Sequence, residues 1–260
     1  MKKSAFLPKT ILITGASSGI GAALARHYAA AGVTLHLQGR NAERLEIVAN
    51  ECRNYRAVVH TALLDVKDAS AMKEWIEAID DKTSIDLAIA NAGVSAGFGR
   101  NGESSEQVKE IFATNVDGVF NTVHPLLAPM TGRGRGQLAI ISSLAGIRAL
   151  PSCPAYSASK AAVRVYGEAL RGAMQKHGVN LSVVCPGYIR TPMTKNNPYP
   201  MPFLMSAEKA ARIIARGLAG NRARIAFPLG LYIPLWFLSC LSPLITDPMF
   251  ARLPAKPSHF

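Results

Sequence analysis

Short apolar runs alternate along this chain with helix-length segments, and that alternation restricts the fold more than any other feature. The runs are Thr10–Thr14, Thr34–Gln38, Ala57–Thr61, Leu87–Ala90, Gln137–Ile141, Leu181–Cys185 and Arg224–Phe227. Between them lie Gly19–Ala31, Ala42–Arg53, Ala69–Ile79, Gln107–Met130, Ala155–His177 and Ala207–Ala219. Several runs lack polar alternation, as strands buried on both faces do. Repeated strand–helix units imply a parallel sheet with helices on both sides. No repeat, low-complexity stretch or linker interrupts the pattern. A chain of 260 residues can bury a full core as one unit. The expectation is a single α/β domain over residues 1–260, with a doubly wound, seven-stranded parallel sheet. Ligands of such sheets bind beyond the C-terminal ends of the strands.

The first strand–helix junction reads Thr14-Gly15-Ala16-Ser17-Ser18-Gly19-Ile20-Gly21. Gly15 permits a tight turn, Gly19 a close approach of backbone to a pyrophosphate, and Gly21 close packing of helix on sheet. The free N–H groups at the helix start attract the anion. The spacing is G-x-x-x-G-x-G and not the commoner G-x-G-x-x-G, but the strand before and helix after are those a dinucleotide needs. Ser17, Ser18 and Ile20 lie within this turn. The second strand ends at Gln38-Gly39-Arg40-Asn41. A carboxylate there would grip the ribose hydroxyls of NAD and repel an added phosphate. Arg40 instead offers a fork for the 2′-phosphate of NADP(H), where the plainer reading is a surface arginine. Asp65 and Val66 end the third strand and suit an adenine edge. Asn91, Ala92 and Gly93 end the fourth, small enough for backbone to lie against a ribose.

Tyr156 and Lys160 are spaced i and i+4, which puts phenol and ammonium on one helical face. A tyrosine titrates near about 10 in water. A nearby cation favours the phenolate, so the pair is expected to bring Tyr156 toward working pH as a general acid or base. Alone, such a pair is usually a surface contact.

The motifs T-G-A-S-S-G-I-G, N-A-G, I-S-S-L-A-G, Y-S-A-S-K and P-G-Y-I-R-T, in this order, resemble the short-chain dehydrogenase/reductase family in its single-domain, Rossmann-type branch. The resemblance covers residues 9 to about 220. It implies a catalytic set of Asn115, Ser143, Tyr156 and Lys160. Tyr156 would be the general acid/base. Lys160 would hold the nicotinamide ribose and lower the tyrosine pKa. Ser143, rather than Ser142, would hydrogen-bond the substrate oxygen, and the Asn115 backbone would anchor a water leading to Lys160. Ser143 and Tyr156 are thus also the substrate-binding residues. Pro186 and Gly187 open the segment whose Ile189 backbone and Thr191 hydroxyl would fix the nicotinamide carboxamide. The implied activity is NADPH-dependent reduction of a carbonyl, with NADP-linked alcohol oxidation and a non-catalytic scaffold as alternatives.

The net charge of +12 raises nucleic acid as a partner, but no nucleic-acid motif accompanies the scattered basic residues. A phosphorylated cofactor or a membrane surface fits better. Cys52, Cys153, Cys185 and Cys240 are dispersed and form no C-x-x-C pair, so neither a metal nor a disulfide framework is expected. With Met1-Lys2-Lys3 read as the approach to a first strand and not a secretory signal, the expected compartment is cytoplasmic, with membrane association open. Residues 1–190 read as the cofactor and catalytic core and 191–221 as a substrate lid, with Pro198, Pro200 and Pro202 in an irregular stretch. Residues 228–260 read as an apolar extension. No charged residue occurs from Ile225 to Thr246, while Pro228, Pro234 and Pro243 argue against a spanning helix. Core and dimer contact, an apolar wall for a bulky substrate, and a shallow membrane-facing hairpin flanked by Arg222, Arg224 and Arg252 all fit this stretch. A homodimer or homotetramer is expected.

Overall fold

Seven strands form one parallel sheet in the order β3-β2-β1-β4-β5-β6-β9. They are β1 (Thr10–Ile13), β2 (Thr34–Gly39), β3 (Val58–Leu63), β4 (Leu87–Ala90), β5 (Gly136–Ile141), β6 (Val179–Pro186) and β9 (Arg224–Phe227). The computed structural model describes residues 7–98, 102–195, 197 and 199–250. Met1 to Lys3, Pro198, Arg252 and the rest of 251–260 lie outside the described residues.

Each central strand is apolar on both sides, and the two sides feed different cores. Ile11 and Ile13 of β1 enter one buried cluster, with α1 (Gly19–Tyr28), α2 (Ala42–Asn54) and α8 (Ala207–Ala219). Leu12, between them, enters the other, with α3 (Ala69–Lys82), α5 (Gly118–Gly132) and α6 (Pro154–Gln175). This period of two, with apolar residues at both phases, makes the sheet a middle layer and forces helices onto both faces. The chain order reverses between β1 and β4, the crevice where doubly wound sheets bind ligands.

The expected helix Gln107–Met130 is not continuous. α4 (Ser105–Phe112) and α5 are joined by a single π-helical turn at Ala113–Asp117, which carries Asn115. One extra residue in the turn rotates Asn115 inward, where it is wholly buried.

After β6 come a short strand pair, β7 (Ile189–Arg190) with β8 (Met205–Ser206), and the single turn α7 (Pro192–Lys195). Within the 191–221 region, α8 buries Ala207, Ala210, Ala211, Ile214 and Leu218 in the first cluster. The uncharged stretch folds as the end of β9 and two short helices, α9 (Leu229–Ser239) and α10 (Pro243–Phe250). Pro228 caps α9 and Pro243 starts α10, so two of the prolines mark helix starts. Among the described residues, no helix is long and apolar enough to cross a membrane.

Candidate active site

A cleft of about 760 Å³ opens along the C-terminal ends of β1, β2, β4, β5 and β6. Gly15, Ser17, Ser18, Gly19, Ile20, Arg40, Asp65, Val66, Asn91, Ala92 and Gly93 border one part of it. Ser143, Tyr156, Lys160, Pro186, Gly187, Ile189 and Thr191 border the rest. Gly21 and Asn115 stand behind the wall.

The glycine turn is shaped to admit a large anion. Gly15 and Gly19 hold φ of +64° and +56°, a region that favours glycine. A Cβ on Gly15 would lie 2.8 Å from the Cα of Ala92, and one on Gly21 would lie 2.3 Å from the Gly15 carbonyl oxygen. The turn is therefore packed from behind while its front faces the cleft. Ser18 caps α1 without a side-chain hydrogen bond, and no acidic residue lies in the first turn. The helix start is left with unspent N–H groups and positive dipole character for a pyrophosphate.

At the end of β2, Gln38 is occupied structurally. Its side chain accepts from the Gly15 N–H and donates to the Leu64 carbonyl. Arg40 Nη1 stands 3.6 Å from Asp65 and 3.9 Å from Glu110, while Lys67 bonds Glu110 at 2.9 Å. Arg40 is half exposed, so these pairs hold it loosely. Asn41 and Arg44 also border the cleft and were not singled out from sequence. Arg44, one turn beyond Arg40, was discoverable from that spacing alone.

Asn115 ties two walls together. Its Oδ1 accepts from the Val94 N–H at 2.8 Å, and its Nδ2 donates to the Val94 carbonyl and to Ser159 Oγ, both at 3.0 Å. Ser159 Oγ in turn donates to the Tyr156 carbonyl at 2.8 Å. The loop after β4 is thereby locked to the helix carrying Tyr156 and Lys160. Asn115 is thus a buried connector.

Ser142 and Ser143 face different ways. Ser142 Oγ donates to the Lys160 carbonyl at 2.7 Å, bracing α6 on β5. Ser143 Oγ accepts from the Ala145 N–H at 3.1 Å and hydrogen-bonds the Tyr156 phenol. Lys160 Nζ donates to the Ile141 carbonyl at 2.9 Å and lies 6.0 Å from the centre of the Tyr156 ring. A Cβ on Gly93 would come within 3.2 Å of Nζ, so the ammonium lies against the small-residue loop after β4.

The electrostatics correct one expectation. Lys160 does not bring the phenol toward neutrality through the protein's own groups. Burial pushes Tyr156 up to about 12, against the pull of the Ser143 hydrogen bond. Burial likewise pushes Lys160 down to about 8. The ammonium is desolvated and donates to a carbonyl, and at the phenol desolvation outweighs the stabilising hydrogen bond. At neutral pH Tyr156 holds its proton and Lys160 is charged.

The remaining wall is mainly apolar. Leu150, Cys153, Tyr188, Tyr199, Pro200 and Pro202 border it, joined by Leu231 and Leu235 of α9 and Phe250 of α10. The rings of Tyr188 and Tyr199 meet edge to face, with centres 6.4 Å apart.

The family described as short chain dehydrogenase matches residues 9–200. The chain belongs to the short-chain dehydrogenase family. It is a nicotinamide-dependent oxidoreductase with that family's fold. An uncharacterized oxidoreductase of Myxococcus xanthus is 36% identical over 243 residues, 93% of this chain and 94% of the relative. A short-chain dehydrogenase from Sphingobium yanoikuyae, solved in complex with NADPH, superposes with a TM-score of 0.80 at 22% identity, covering 94% of this chain and 96% of that one. A short-chain dehydrogenase from Mycobacterium paratuberculosis bound to NAD gives a TM-score of 0.74 at 24% identity, covering 84% and 94%. The glycine cradle, the open helix start and the small-residue loop beside Lys160 fit a nicotinamide dinucleotide.

Proposed function

We propose that the protein reduces a hydrophobic ketone with NADPH, using Tyr156 as proton donor. One observation carries this reading. The protonated Tyr156 phenol, bonded to Ser143, stands where the polar, glycine-rich part of the cleft meets the apolar wall of Leu150, Leu231, Leu235 and Phe250.

The backbone of Gly15 to Ile20 would hold the pyrophosphate, and Lys160, Asn91 and Gly93 would border the nicotinamide ribose. When bound, the nicotinamide supplies hydride to the carbonyl carbon. Ser143 orients the carbonyl oxygen toward Tyr156. As the carbonyl electron pair moves onto oxygen, the phenol proton passes to it, because an alkoxide is far more basic than a phenolate. The charged Lys160 then stabilises the phenolate left behind. A phenol that keeps its proton at neutral pH suits this direction, since reduction needs a donor.

NADPH is favoured by Arg40 and Arg44 at the adenosine end and by the lack of a carboxylate on β2. A 2′-phosphate would compete with Asp65 and Glu110 for Arg40. The solved neighbours carry NADPH and NAD respectively, so this choice rests on the chain's own residues.

Oxidation of NADPH and NADH against ketones graded by length and bulk tests the proposal, repeated with Arg40→Ala. We expect kcat/KM to rise with apolar bulk. We expect Arg40→Ala to weaken NADPH about tenfold, roughly 1.4 kcal/mol, and NADH much less. A flat response across ketones would remove the substrate assignment, and equal losses would remove the cofactor assignment.

A further inference from the structure

The helix α9 presents two apolar faces with different destinations. Leu231 and Leu235 pack on the core and border the cleft. Leu229, Ile233, Trp236 and Phe237, spaced i, i+4, i+7 and i+8, form the opposite stripe. With Leu244 and Ile245 of α10 they are each between 49% and 87% exposed. Scattered exposed leucines need no explanation, but a stripe of four large apolar side chains on one helix, with two more on the next, does. Phe203 extends it, 59% exposed and packed within reach of Gly230.

We propose that this face docks on an anionic bilayer surface and that the ketone is a membrane-borne amphiphile entering past Leu231, Leu235 and Phe250. The second part rests on the carbonyl-reductase reading above.

Several observations favour a bilayer over another occupant. The chain carries a net charge of +12, which draws it to anionic headgroups. α9 carries no charged residue, and from Ile225 to Phe250 the only one is Asp247 of α10, 67% exposed and 3.7 Å from Arg148. Trp236 lies within the stripe, and an indole ring favours the hydrocarbon–water boundary. Pro234 withholds the helical donor from the Gly230 carbonyl, which suits the hydrated interface and not the hydrocarbon centre. α9 is too short to span, so it lies in the plane of the surface. Arg224 bonds both Glu168 and the Tyr232 hydroxyl and so fixes α9 to the body, leaving the stripe outward. Because the same helix forms part of the cleft wall, a lipid leaving the bilayer there meets the site directly.

The test uses the full chain with phosphatidylcholine vesicles, with and without phosphatidylserine, and the double variant Trp236→Glu/Phe237→Glu. Neither residue borders the cleft. The expected result is flotation with the anionic vesicles, at least tenfold weaker for the variant. Turnover of a short, water-soluble ketone with NADPH should be unchanged, and turnover of a long-chain ketone embedded in vesicles should fall at least tenfold. No flotation, or flotation indifferent to the variant, overturns the docking face. A wild-type dimer that the variant converts to monomer, without vesicle binding, assigns the face to a second copy and also overturns it. Equal turnover of the embedded ketone by both proteins overturns the entry route. Variant-sensitive flotation without turnover of either ketone upholds the face and refutes the reductase reading alone.

Discussion

Replacing the buried Asn115 by alanine removes three hydrogen bonds at once and tests how far the π-helical turn organises the site. The Val94 N–H and carbonyl, half-buried beside the cleft, and the buried Ser159 hydroxyl all lose a partner. Each such loss costs about 1–3 kcal/mol. Partial rescue by relaxation brings the total to roughly 3–5 kcal/mol. With a urea dependence of ~3 kcal/mol per molar, the midpoint moves down by about 1–1.7 M. Urea unfolding followed by the fluorescence of Trp75 and Trp236 reads this shift. Asn115→Asp sharpens the test. The ionised carboxylate still accepts from the Val94 N–H but cannot donate to the Val94 carbonyl or Ser159. Its folded-state pKa is raised, so its destabilisation is present at neutral pH and shrinks as pH falls and the carboxyl becomes a donor. Both variants loosen the loop that holds Gly93 beside Lys160, so KM for the cofactor rises as well. A midpoint shift of Asn115→Ala under about 0.3 M with unchanged cofactor KM would refute the connector role.

The titration of Lys160 sets a pH limit. Its depressed pKa leaves it charged below about 8 and neutral above, so kcat/KM for reduction is expected to be flat below that value and to decline above it. A flat profile from pH 7 to 10 would contradict the placement of that charge. The same depression predicts that this group's contribution to stability rises with pH, because the unfolded chain binds more protons between about 8 and 10.5. Gly21→Ala places a Cβ 2.3 Å from the Gly15 oxygen and 2.6 Å from Asn91 Nδ2. It is expected to cost about 1–3 kcal/mol and to weaken dinucleotide binding by displacing the turn; unchanged melting and unchanged NADPH titration would show that the cradle has slack.

The sheet was legible because each strand is a short apolar run between turn residues. The runs from Thr10 to Phe227 correspond in order to the strands of the main sheet, with ends shifted by a residue or two. The π-helical turn was not legible. Ala113 to Asp117 fits an α-helical pattern, and a one-residue register change leaves no mark in hydrophobic periodicity. The polar part of the cleft could be read from motifs because glycines, Arg40 and the Tyr156–Lys160 pair lie close to it in sequence. The apolar wall was one of three readings of the uncharged stretch, and its residues could not be singled out, since Leu231, Leu235 and Phe250 come from a segment with no polar face to give a period, and prolines there read as interruptions. Nor could the Tyr156 pKa be read. Spacing shows an ammonium one turn away, but whether attraction or burial wins depends on where Nζ points, and it points at the Ile141 carbonyl.

Proton donation by Tyr156 is the central claim, and Tyr156→Phe tests it most directly. Phenylalanine keeps the ring and its packing and removes only the hydroxyl. Single-turnover NADPH oxidation with a saturating hydrophobic ketone should be lost by a factor of at least about a thousand, the range of general acid catalysis with its positioning. NADPH binding, followed by its fluorescence, should stay within about twofold. Undiminished oxidation by the variant, with NADPH bound, would contradict the account.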